Sequence, residues 1–521
     1  MKKPLVIHPF LFAVFPILFL FAHNIGQVRF SQTLLPSAIM LGFTFLLLLL
    51  SRLILGNYKK AGIVVSIFLV LFFFYGHVFN VTPAWLKGSF GIDRHTYLVL
   101  LWYMVFICGA YFIKKTRRDL HNFTNVLNVV ATFLVVISLI NIGAYELKTK
   151  PWRSIKRTKN IKINTTDSRK ANALPDIYYI ILDRYASTST LKEFYDFDNS
   201  KFIDYLFNRG FYVAQSRANY LKSAHSLASS LNMEYINYLS DKMGEESGNW
   251  RPLVEMVQDY EVWRFLKSRG YKFIHFGSWW EATRRNKHAD MNFNLFSLPE
   301  FSMSLYKTTV LYPFITKLGI SDKRLLQWLG DERLVQYKRV LYKFKKLAEI
   351  SNIKEPTFVF AHMLTPHAPF VFDRDGNFLT EEEDRKRSRI QNYVNQLIFV
   401  NKKIEMLIDK LLSNSQVPPI IILQADEGPY PPGRSTDWEK MSKAELRQKM
   451  GILNAYYLPN ADKNVLYPSI TPVNSFRLIF NLYFGTDFEL LPDESYVHPD
   501  DHHPYKFFNV TDKLRENNRE D

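Results

Sequence analysis

A chain of 521 residues, 47% of them apolar and 16% aromatic, is too hydrophobic for disorder and long enough for more than one domain. Its single cysteine excludes a disulfide framework and any cysteine-based zinc cluster. The formal charge of +17 suggests nucleic acid at first, but its distribution does not: residues 1–165 hold nineteen Lys and Arg against Asp93, Asp119 and Glu146, and the remainder is within one charge of neutral. No nucleic-acid partner is expected.

Five apolar runs follow in chain order, Leu5–Ala22, Leu34–Leu50, Ala61–Phe79, Tyr97–Ile113 and Val126–Ala144. Each is close to the ~17–25 residues a helix needs to cross the hydrocarbon core. Met-Lys-Lys before the first run resembles a signal-peptide start, but no small-x-small cleavage site follows it, and four more runs come after. With the N-terminus inside, nine Lys and Arg (Lys2, Lys3, Arg52, Lys59, Lys60, Lys114, Lys115, Arg117, Arg118) flank the inner ends, against Arg29, Lys87 and Arg94 outside. The expectation is a multi-pass protein of the plasma (inner) membrane with a cytoplasmic N-terminus. The division expected is a five-span domain over 1–147, a basic stem over 148–174 and an extracytoplasmic domain over 175–521. The basic run at the start of the stem (Lys148, Lys150, Arg153, Lys156, Arg157, Lys159, Lys162) reads as a solvated connector, or as a strip that grips anionic headgroups.

From Pro175 the pattern changes to short strands alternating with amphipathic helices. Strands are predicted at 177–182, 272–276, 357–361, 420–424 and 452–457, four of them nearly continuous apolar runs as in a sheet buried on both faces. Helices are predicted near 199–208, 223–235, 260–269, 334–350, 387–412 and 473–483, so the fold class is an α-helical membrane domain followed by an α/β domain with a mainly parallel central sheet. Ligands of such sheets sit beyond the carboxyl ends of the strands. There the sequence supplies Asp183-Arg184-Tyr185, His362 with Thr365-Pro366-His367-Ala368-Pro369, and Ala425-Asp426-Glu427-Gly428. Carboxylates and histidines delivered to one edge are the composition of a metal-assisted oxyanion site.

Ser223 begins a predicted helix, where a hydroxyl is either an ordinary cap or a nucleophile beside free N–H groups. His225, two positions on, is turned roughly 200° away by helix geometry, which argues against a Ser–His dyad. His498-Pro-Asp-Asp-His502-His503 has metal-ligand composition but reads more simply as a solvated loop, Trp279 and Trp280 read as packing, Asn474 as a cap, and the Asn122, Asn164 and Asn509 sequons as chance matches.

Asp183 after the first strand, Ser223-x-x-Ser226-Leu227, Thr-Pro-His367-x-Pro and Gln-Ala-Asp426-Glu427-Gly428, in that order, resemble the alkaline phosphatase/sulfatase superfamily. Five spans before such a domain resemble its lipoteichoic acid synthases and lipid A phosphoethanolamine transferases. The resemblance implies a sulfatase-like α/β domain with Asp183, Asp426 and Glu427 as metal ligands, Ser223 as nucleophile with His367 in the catalytic set, and Ser226 and His362 beside the substrate. Because Cys108 lies inside the fourth run, it excludes a formylglycine made from cysteine. Glu427 stands where phosphatase-type members have histidine, and no second-metal histidine of the family is evident. One divalent ion is therefore expected, with Mn²⁺, Mg²⁺ or Ca²⁺ favoured over Zn²⁺.

The implied activity moves a phosphoryl-linked group, of phosphoethanolamine or phosphoglycerol type, from a membrane lipid or lipid-linked donor to a surface glycan or lipid acceptor through a covalent serine. The alternatives are a phosphate or sulfate ester hydrolase with the same residues, and an inactive scaffold for envelope polysaccharide assembly. The sequence does not give the oligomeric state.

Overall fold

The computed structural model describes residues 5–82, 94–149, 174–295, 298–317, 331–431 and 440–515. Most of the basic stem, Lys87 and the Asn164 sequon lie outside the described residues. The chain divides into two compact units, residues 1–155 with 297–332, and residues 156–296 with 333–521.

The first unit is built on five apolar helices: α1 (His8–His23), α2 (Ser31–Leu55), α3 (Tyr58–Val81), α4 (Arg94–Lys115) and α5 (His121–Thr149). Four of them, α2 to α5, are long and apolar enough to cross a membrane, and α1 is a shorter apolar helix. Gly56 closes α2 with a left-handed φ of 62°, a conformation glycine adopts without a Cβ penalty. Asn57 then caps α3 by accepting from the N–H groups of Lys59 and Lys60. Ala13, Ile17, Phe21, Leu69, Phe72 and Phe73 form the buried interior of the unit. Two helices from much later in the chain, Glu300–Thr308 and Leu311–Lys317, complete it. The first of these packs on α1, α2 and α3.

The second unit is an α/β domain around a seven-stranded sheet. Its strands are β1 (Ile177–Leu182), β2 (Tyr212–Val213), β3 (Lys272–Phe276), β4 (Met291–Phe293), β5 (Thr357–Met363), β6 (Ile420–Gln424) and β7 (Asn454–Tyr457), in the order β2-β7-β6-β1-β5-β3-β4. Strands β6, β1, β5, β3 and β4 are parallel, and β7 runs against both its neighbours. Every residue of β1, β5 and β6 is buried, which is why these strands read as unbroken apolar runs rather than alternating ones.

The predicted strands at 177–182, 272–276 and 420–424 have the observed bounds. The strand expected at 452–457 begins two residues later, at Asn454, and β5 continues two residues further than expected, to Met363. His362 therefore lies on the strand, opposite Ile181 of β1, instead of in the loop beyond it. A polar core threads the sheet: Tyr179 donates to Gln424 Oε1 (2.5 Å), and Gln424 Nε2 donates to Asn454 Oδ1 (2.9 Å) and Ser475 Oγ (3.0 Å). Full pairing is what makes such buried polar groups tolerable.

Candidate active site

The three neighbouring strands β6, β1 and β5 carry the site at their carboxyl ends. Asp183 follows β1 directly, His362 is the penultimate residue of β5, and Asp426 stands two residues past β6. One ligand atom from each lies within 4.8 Å of the others, and all three residues are buried. His362 Nε2 is 3.6 Å from Asp183 Oδ2 and 3.7 Å from Asp426 Oδ2, too far for hydrogen bonds. Among the described residues, Asp183 Oδ1, His362 Nε2 and Asp426 Oδ2 have no hydrogen-bond partner. Buried acceptors left so are costly, and ligands about 2.1 Å from a shared ion stand roughly 3–4 Å apart. The donor set thus fits a divalent cation.

The imidazole is aimed by its other nitrogen. Thr283 Oγ1 lies 2.8 Å from His362 Nδ1, and Ser278 Oγ lies 2.8 Å from Thr283 Oγ1. The Lys343 ammonium is fully buried and donates to the carbonyls of Gly277 (2.9 Å) and His362 (2.5 Å), tying the loop after β3 to the end of β5. Burial holds the Lys343 pKa far below its ordinary value. These supporting residues carry no local sequence signal for the site, because Thr283 meets His362 from 79 residues away and Lys343 acts through backbone carbonyls.

Electrostatics set the two carboxylates apart. Burial works to raise the Asp183 pKa, but His367, His362 and Arg184 outweigh it and hold the group below the usual carboxylate range. Asp426 is pushed well up, first by burial and then by the charges of Asp183 and Glu427. His362 is lowered by burial, against the pull of Asp183.

Ser223 opens the helix Ser223–Asn232, with Lys222 rather than Ser223 in the capping position. The residue is partly exposed, and its hydroxyl lies close enough to the Asp426 carboxyl to favour the charged form of that group. The rest of that helix is buried, so it is a rigid mount. Ser226 is turned away, its hydroxyl donating to the Tyr220 carbonyl (2.9 Å). His225 Nε2 lies 2.7 Å from the carbonyl oxygen of Pro504, and its ring sits 4.8 Å from that of His498. His367 donates its backbone N–H to the Asp183 carbonyl (3.1 Å) and shares a cavity with Arg184 and Tyr430.

Glu427 does not join the Asp–His–Asp group. Its Oε1 receives Arg184 Nε at 3.0 Å and Lys449 Nζ at 2.9 Å. Arg184 reaches it from a left-handed turn (φ 62°), which costs a non-glycine residue roughly 1–2 kcal/mol. The Tyr393 hydroxyl braces that turn by donating to the Arg184 carbonyl (2.8 Å). Burial pulls the Lys449 pKa down to about 7, with Glu427 opposing. The sequence expectation groups Glu427 with the aspartates and sets His362 beside the substrate. The structure instead brings His362 to the aspartates and pairs Glu427 Oε1 with two distant cations. Glu427 Oε2 has no hydrogen-bond partner among the described residues.

Two other buried histidines make the domain acid-sensitive. Burial lowers His275 and His498 to about 4. With folded-state values below the ~6.5 of an unfolded imidazole, the unfolded chain binds more protons, and the stability present above pH 6.5 is lost as pH falls toward 4. Thermal unfolding at stepped pH should show the midpoint of this domain falling steadily from pH 7 to pH 4. A flat profile across that window would contradict the burial of these two rings.

Taken with the partly exposed hydroxyl, a cation-ready group at the carboxyl edge of a parallel sheet defines an α/β enzyme of the kind that handles phosphate and sulfate esters. The chain belongs to the sulfatase family, whose model matches residues 177–461, more than half of its length. No curated protein matches it significantly. Among solved structures it is similar to the integral membrane lipooligosaccharide phosphoethanolamine transferase A from Neisseria meningitidis, at 13% identity and a TM-score of 0.37, covering 91% of this chain and 95% of that one. It is also similar to the C-terminal periplasmic domain of EcEptC from Escherichia coli (13% identity, TM-score 0.41, covering 66% of this chain and 94% of that one). A third is the lipoteichoic acid synthase LtaP from Listeria monocytogenes (14% identity, TM-score 0.39, covering 64% of this chain and 80% of that one).

Proposed function

We propose that the protein is a membrane-anchored transferase that moves a phosphoryl-linked group, of phosphoethanolamine or phosphoglycerol type, from a phospholipid to a surface glycan or lipid. The observation that carries this reading is the buried Asp183–His362–Asp426 group, with the partly exposed Ser223 hydroxyl beside Asp426. Those three residues would hold one divalent cation, and when bound it would acidify a nearby hydroxyl and neutralise charge on a transferring phosphoryl group. A donor set with one imidazole and two carboxylates is softer than three carboxylates, which brings Zn²⁺ and Mn²⁺ forward relative to Mg²⁺ and Ca²⁺.

In this scheme Ser223 Oγ attacks phosphorus, its proton passing to Asp426 or solvent, and the bond from phosphorus to the diacylglycerol oxygen breaks, that oxygen taking a proton from solvent as diacylglycerol leaves. An acceptor hydroxyl then displaces Ser223. The apolar helices support a lipid donor, since they would hold the enzyme where its substrate is concentrated. The excess of positive charge at the predicted inner flanks supports a cytoplasmic N-terminus and an extracytoplasmic α/β domain.

The test is to reconstitute the full chain in vesicles containing phosphatidylethanolamine or phosphatidylglycerol and follow diacylglycerol. Release from one of them, abolished by chelator and restored by Zn²⁺ or Mn²⁺, is expected. Free phosphoethanolamine or glycerol phosphate as the sole second product would make the enzyme a hydrolase. No diacylglycerol from either lipid under any cation would overturn the proposal.

A further inference from the structure

We infer that residues 300–317, although encoded inside the α/β portion of the chain, are a membrane-embedded element whose apolar face contacts lipid acyl chains. Phe301 and Leu305 are buried in the same apolar cluster as Phe21, Ile25, Phe72 and Phe73 of the spanning unit. The backbone passes so close to α3 that a Cβ on Gly76 would come within 2.6 Å of the Lys307 carbonyl oxygen and 2.7 Å of Thr308 Cα. The Val310 N–H donates to the Phe72 carbonyl at 3.0 Å.

Depth follows from helix geometry. Helix α3 has 24 residues, so at 1.5 Å per residue it is about 36 Å long, a little more than the ~30 Å hydrocarbon core. Phe72 stands nine residues before its end at Val81, about 14 Å along the axis. With α3 centred in the bilayer, the contact at Phe72 is roughly 10 Å inside the hydrocarbon boundary.

Polar backbone at that depth must be satisfied within the protein, and the Thr309 and Val310 N–H groups and the Leu305 and Tyr306 carbonyls are paired. Thr308 Oγ1 donates to the Leu305 carbonyl and Thr309 Oγ1 to the Tyr306 carbonyl, both at 2.7 Å. The Thr309 N–H also reaches the Tyr306 carbonyl, at 3.0 Å. The sequence from Thr308 to Thr316 contains no charged residue and is bounded by Lys307 and Lys317. Leu311 and Phe314 are 44% and 43% exposed. Helices α2 to α5 leave apolar side chains uncovered in the same way, among them Phe45, Phe112 and Phe133, and the partner that fits such side chains is the bilayer interior.

The test uses the full chain in lipid nanodiscs with Cys108 replaced by serine and a nitroxide placed singly through Leu311→Cys, Phe314→Cys, Phe112→Cys or Met406→Cys. Positions 311 and 314 are expected to collide with oxygen at least severalfold more than with a water-soluble nickel complex, as position 112 should, while position 406, 63% exposed on the α/β unit, shows the reverse. Collision profiles at 311 and 314 that match position 406 would overturn the inference. If a label at 311 disturbs folding, the profile at 314 decides by itself.

Discussion

Ser223→Ala is expected to lower turnover by at least about 10³-fold while leaving divalent-cation content and thermal stability near those of the parent. Of the two serines in the motif, only Ser223 is partly exposed, and it stands beside Asp426. Ser226 spends its hydroxyl on the Tyr220 carbonyl. Ser226→Ala should therefore cost about 1 kcal/mol of stability and leave the rate within a few-fold. Single-turnover assays on lipid vesicles, with metal content read in parallel, check both. Retention of a tenth or more of the parent rate by Ser223→Ala would remove the covalent step from the mechanism.

The second large effect is on stability. Glu427→Ala leaves Arg184 and the fully buried Lys449 without their shared carboxylate, and stranding buried charge in this way costs on the order of 3–5 kcal/mol. The lower end is expected because Lys449, already drawn down to about 7 by burial, can shed its proton. The unfolding midpoint should fall by roughly 5–10 °C, and adding Lys449→Met should recover part of that loss. If Glu427→Ala instead strips the divalent ion at unchanged stability, Glu427 is a ligand and its place beside the two cations is a feature of the ion-free state alone.

How far the sequence could be read depended on whether a residue's partner lay nearby in the chain. The strands at 177–182 and 420–424 were legible because burial on both faces writes itself as a continuous apolar run. Short β2 and β4 left no such run. Asp183 and Asp426 were legible because each ends an apolar strand with a carboxylate. His362 was assigned to a loop because a polar residue looks like the end of an apolar run, whereas the strand continues through it to Met363. Glu427 sits next to Asp426 in sequence, yet its position is decided by Arg184 and Lys449, 243 residues before it and 22 after. Adjacency suggests a shared ligand, while the partners of its Oε1 come from far along the chain. The helices over 300–317 were missed because their apolar face answers to α1, α2 and α3 rather than to the sheet around which the sequence places them.

The split membrane unit also sets a clock on biosynthesis. About 150 residues separate the end of α5 from Glu300, which at 5–20 residues per second is roughly 8–30 s of translation. For that interval Gly76 and the carbonyl of Phe72 face lipid or neighbouring helices without Lys307, Thr308 and Val310. The early strands emerge from the ribosome before the segment that completes the helical unit exists. A chain truncated before residue 300 would therefore lack part of its membrane unit as well as part of its catalytic domain.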